Sequence, residues 1–128
     1  MTYYFTKEVE LSFDEAINKV TEELKKEGFG ILTEIDVKAT MKKKLDVDFR
    51  NYKILGACNP PFAYEALKAE DKIGLMLPCN FIVQEKENGI VEVSAIDPAV
   101  SMQSVRNSAL ESIAGDVRDK LKKIVDSI

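Results

Sequence analysis

The spacing of apolar residues changes along the chain, and each change marks an element. Thr2 to Val9 carries Tyr3, Tyr4 and Phe5, all β-favouring, and reads as a short strand. Ser12 then opens a helix. Phe13, Ala16, Ile17, Val20 and Leu24 recur at helical spacing, so one stripe faces a core. Ser12 and Glu15 stand three apart, the spacing at which each side chain satisfies a backbone donor near the other. Gly28 falls just past the last turn, where a left-handed residue ends a helix. Gly30 to Val37 is a second strand, and Asp36 is placed to cap a short helix through Leu45. Tyr52 to Cys58 is a third strand. Asn59 followed by Pro60 then gives a cap with proline in the first turn, starting a helix that ends near Glu70.

Asn80 to Glu87 and Ile90 to Ile96 read as two strands joined by Asn88 and Gly89, a two-residue turn in which both residues need positive φ. In the second of these strands Val91, Val93 and Ala95 point one way and Glu92 and Ser94 the other. Asp97 and Pro98 end it in a turn. The last helix begins at Asn107 or Ser108, with Glu111 placed to complete a capping box. Its stripe is Leu110, Ile113, Ala114, Val117, Leu121, Ile124, Val125 and Ile128. Gly115 interrupts that stripe, leaving a gap open to a close neighbour.

The order is strand, helix, strand, helix, strand, helix, hairpin, helix. A partly parallel α/β sheet covered on both faces and an α+β sheet covered mainly on one are both compatible with it. The closing hairpin and the alternation of its second strand favour the latter. The expectation is a single α+β domain over residues 1–128, with a mainly antiparallel sheet of about five strands and the long C-terminal helix packed across one face.

Composition narrows the chemistry. The chain has 128 residues, 45% hydrophobic and 31% charged, which suits one domain with a real core. It contains no His, so His-based acid–base catalysis and His-ligated metals are absent. Two Cys support neither a zinc ribbon nor a disulfide scaffold. The net charge of −4 argues against nucleic acid and anionic membrane as partners. The basic run Lys42 to Lys44 is followed by Asp46 and Asp48 and reads as a solvated face. No stretch is long and apolar enough to span a membrane, and no signal peptide is visible near Met1, so a soluble cytoplasmic protein is expected. There both cysteines are expected as thiols.

The longest runs without a charge are Ile54 to Tyr64 and Ile73 to Gln84, and each holds one Cys followed by Asn: Cys58 with Asn59, and Cys79 with Asn80. Such runs are core or the lining of a desolvated pocket, which Phe62 and Tyr64 are placed to share. Cys58 ends a strand immediately before a helix start, where a thiolate is favoured. A thiol that only fills space is the simpler account, since free Cys is among the most buried residue types, and a Cys nucleophile here would lack a His base.

Four segments together resemble a known family: Gly28 to Val37, Tyr52 to Pro60, Gly74 to Asn80, and Ala95 to Pro98. They are similar, in order and over nearly the whole chain, to the family named domain of unknown function 302. The resemblance implies a compact α+β domain of the TATA-binding-protein-like class, often dimeric, and it implies no activity. The family's motif Cys and Asn fall on Cys58, Asn59, Cys79 and Asn80.

Three functions follow as expectations. The first is a small ligand-binding module without catalysis, its site between sheet and helices and its ligand apolar or thiol-reactive. The second is a redox, sulfur- or metal-handling protein using Cys58, Cys79 or both. The third is a homodimeric interaction domain with no small-molecule site. No cofactor is called for.

Overall fold

The computed structural model describes residues 2–128. Five strands form one sheet: β1 (Tyr4–Val9), β2 (Gly30–Asp36), β3 (Tyr52–Cys58), β4 (Cys79–Glu85) and β5 (Val91–Ile96). Their spatial order is β1-β5-β4-β3-β2, and every adjacent pair is antiparallel. The first strand therefore pairs with the last. The helix between β1 and β2, α1 (Phe13–Lys26), has to travel from one sheet edge to the other. It does so across a single face, beside the final helix α5 (Ser108–Asp126). Between them lie α2 (Val37–Leu45), α3 (Pro60–Ala69) and a single turn, α4 (Pro98–Ser101). No helix among the described residues is long and apolar enough to cross a membrane.

The caps form largely as the local chemistry demands. Ser12 and Glu15 make the reciprocal capping box. Gly28, at φ 82°, ends α1. Phe29 N–H donates to Leu24 O at 2.9 Å and Gly28 N–H to Lys25 O at 3.2 Å, a Schellman closure that delivers Phe29 into the core. Asp36 caps α2 through Ala39 N–H at 2.9 Å.

Three local expectations are corrected. The β4–β5 turn is wider than two residues: Lys86 N–H donates to Ile90 O at 2.8 Å, leaving Glu87, Asn88 and Gly89 as a three-residue loop. Lys86 O accepts from Gly89 N–H at 2.8 Å, and of the turn residues only Gly89 takes positive φ, at 81°. Asn88 instead uses its side chain, accepting from Ile90 N–H at 3.1 Å. This is a normal turn followed by a left-handed glycine, the other common way to match strand twist. Glu111 closes no box on α5. Asn107 accepts from Ala109 N–H at 3.0 Å, and its amide nitrogen donates to Ala69 O at 2.9 Å, tying the end of α3 to the start of α5. Gly115 admits no close neighbour, for a Cβ there would meet nothing within 4 Å.

Alternation along the strands sorts the sheet into two faces. Leu55 and Ala57, Phe81 and Val83, and Val91, Val93 and Ala95 point to the helices and are buried. They meet Ala16, Val20 and Leu24 of α1 and Val117, Leu121, Ile124 and Val125 of α5. A second, smaller apolar cluster of Ala66, Ile73 and Leu110 lies to one side, with Leu77, Met102 and Val105 packed on it. Lys7 of β1 donates to the Ile128 carbonyl at 2.6 Å, placing a cation at the C-terminal end of α5.

Candidate functional site

The two uncharged runs meet. Ala57 pairs with Cys79 across β3 and β4, so the end of one run lies against the start of the other's strand. From there α3 and the short Ile73–Met76 turn fold over the sheet end toward α5. The main core and the smaller cluster do not close on each other completely. Between them is a cavity of about 310 Å³. Phe29, Ala57, Cys58 and Cys79 wall it from the sheet side, Phe62, Ala63 and Ala66 from α3, and Leu110, Ile113, Ala114 and Val117 from α5. Pro98 and Met102 close another side. No lining residue is charged among those described.

The mouth owes its shape to a β-bulge. The β2–β3 register slips between Ile31 and Thr33, leaving Leu32 as the extra residue. Leu32 lines the cavity while staying 66% exposed, as Leu67 of α3 does at 44%, so these two stand at the opening. Gly56 lies opposite the bulge. A Cβ there would collide with Thr33 Oγ1 and stand 2.7 Å from Pro78 Cγ, so a side chain at this position would force both neighbours to shift.

Of the four residues singled out from the sequence, Cys58, Asn59 and Cys79 line this one cavity. Asn80 does not. It follows Cys79 along the strand, so its side chain leaves on the opposite face, where it is exposed in a shallow groove with Tyr52, Ile82 and Ser94. Tyr64 likewise points outward, whereas Phe62 lines the site.

Asn59 is occupied by the fold. Its carbonyl oxygen accepts from Phe62 N–H at 3.4 Å and its amide nitrogen donates to Glu27 O at 3.3 Å. It thereby caps α3 and ties that cap to the end of α1. Burial pushes Cys58 up from its ordinary value. It pushes Cys79 to about 11, with the neighbouring Cys58 adding to the effect. Burial disfavours the thiolate at both positions, so both sulfurs stay protonated at neutral pH.

Several residues that shape the site escaped the sequence reading, Leu32, Met102 and Pro98 among them. Asp97, expected from the sequence to make a turn, does more. It is buried, caps α4 through Ala99 N–H at 3.0 Å and accepts from Arg118 Nε at 3.1 Å, fixing the segment that carries Pro98 and Met102 against α5. Asp followed by Pro was a visible signal of a helix start.

The model of the family described as "Domain of unknown function DUF302" matches residues 5–128. The chain belongs to the DUF302 family. A crystal structure of an uncharacterized conserved DUF302 protein from Bacillus stearothermophilus superposes with a TM-score of 0.91 at 30% identity, covering 98% of each chain. No curated protein matches. Family membership thus extends over nearly all of the chain and bears out the resemblance carried by the four sequence motifs, while assigning DUF302 no activity.

Proposed function

We propose that this DUF302 protein is a binding module for a small, neutral, apolar ligand held between the sheet end, α3 and α5. One observation carries the reading. In a chain that is 31% charged, a cavity of about 310 Å³ is lined without a charged side chain. The polar atoms that do reach it are already engaged or remain protonated, as Asn59 and the thiols show. Binding sites of this kind are concave, mostly apolar and preformed. Raised thiol pKa values and the absence of His favour this reading over nucleophilic or redox use of Cys58 and Cys79. Native mass spectrometry of protein purified from its own host tests it. A bound neutral mass, lost in Ala114→Leu where an added side chain enters the cavity, is expected. The reading falls if no such mass is found and a neutral fluorophore, N-phenyl-1-naphthylamine, also fails to bind.

A second copy of the chain is the partner we infer. The sheet face away from α1 and α5 carries Tyr4, Tyr52, Ile82 and Ile96, interspersed with Arg50, Lys86 and Glu92. Apolar residues with charges of both signs on one patch suit a two-fold contact, in which each patch meets itself. Sedimentation velocity at micromolar concentration should show a dimer that Ile82→Asp converts to monomer. Wild-type protein sedimenting only as monomer removes the claim.

A further inference from the structure

The volume of the cavity and the surface around its mouth narrow the ligand class. Leu110, Ile113, Ala114 and Val117 of α5 border the cavity, whose volume is about 310 Å³. A cavity of ~150 Å³ is known to hold benzene, so this one takes roughly twelve carbons.

The apolar surface does not stop at the opening. Leu32 and Leu67 stand in the mouth, 66% and 44% exposed. Leu75 and Met76 follow directly on Gly74, itself a lining residue, and are 89% and 38% exposed. Tyr64 lies one turn before Leu67 on α3 and is 63% exposed. A compact ring system would sit inside the cavity and leave this collar in water. A ligand whose apolar body is longer than the cavity would cover it. Two cations on the neighbouring segments are paired: Lys68 with Glu65 at 2.8 Å and Lys72 with Asp71 at 3.5 Å.

We propose that the ligand is a single-chain amphiphile: one alkyl or acyl chain enters end-on, about twelve carbons deep, and its polar end stays outside beyond the Leu32–Leu67 collar. This rests on the apolar-ligand reading above, and the test separates the two. N-phenyl-1-naphthylamine is bound to the wild-type protein and displaced by straight-chain alcohols from hexanol to hexadecanol. Affinity is expected to rise roughly fourfold per methylene up to about twelve carbons, then more shallowly. Leu67→Ser should flatten the gain beyond dodecanol more than the gain from hexanol to decanol. If the fluorophore binds but adamantanemethanol displaces it as well as undecanol, or displacement ignores chain length, the chain proposal fails while the apolar site stands. If the fluorophore does not bind and native mass spectrometry finds no neutral ligand, both fail; a bound neutral mass that carries no alkyl or acyl chain overturns the chain proposal alone. The wild-type series decides even where a variant does not fold.

Discussion

Filling the cavity should stabilise the protein while removing its site, and Ala114→Leu tests both at once. Ala114 is 4% exposed, sits on α5 and borders the open volume. Leucine is nearly as good a helix former as alanine, so the backbone cost is small. Three added carbons, buried at ~0.8 kcal/mol each, contribute about 2.4 kcal/mol. Fixing the new side chain costs about 0.5–1 kcal/mol in rotamer freedom. The net expectation is a gain of about 1.5 kcal/mol in urea unfolding. In a chain of this length that is an increase of roughly 4–7 °C in Tm. Ligand or fluorophore binding should fall together with the rise, since the same space is used for both. A loss of 1 kcal/mol or more would mean overpacking; it would show that the free volume does not lie beside Ala114 and would refute the reasoning. Higher stability with unchanged binding would place the ligand elsewhere.

Other outcomes follow from single residues. Leu121 is fully buried in α5 against the main core, so Leu121→Ala should cost ~2–5 kcal/mol; the exposed neighbour Lys122→Ala should stay within about 0.5 kcal/mol, and equal effects in denaturant titrations would put the stripe on the wrong face. Gly28→Ala should destabilise by ~1–2 kcal/mol, because φ is 82° there and the new Cβ would stand 3.2 Å from Asn59 Nδ2, whereas Gly115→Ala, with open space around it, should stabilise by up to ~1 kcal/mol; thermal melts showing the opposite order would overturn both assignments. The Cys79 thiol, held near 11 when folded, ionises nearer ~8.5 in the unfolded chain. Above that value the unfolded state releases its proton while the folded state keeps it. Stability should therefore fall by about 2–3 kcal/mol between pH ~8.5 and ~11. Cys79→Ala should lack that part of the slope, and parallel pH curves for the two proteins would show that burial does not act on this thiol.

What was legible in the sequence was set by neighbours close along the chain. The Ser12–Glu15 box, the glycine after α1, the caps at Asp36 and Asn59, the alternation of Val91, Val93 and Ala95, and the stripe of α5 all formed. Each depends on hydrogen bonds or side-chain periods spanning a few residues, and those are properties of local order. Absence of charge also marked both runs that come to line the cavity, because desolvation penalises charge wherever a wall is dry. What tertiary structure decided was the relation between distant segments. The bulge at Leu32 and the bare Gly56 opposite it exist only once β2 and β3 are paired. Asn80 parted from Cys79 because adjacent strand residues face opposite sides of a sheet, and only the packed helices say which side is inside. The position of Cys58 before a helix is a local feature that favours ionisation. Its surroundings come from β4, α3 and α5, and the burial they impose acts in the opposite direction, raising the thiol's pKa.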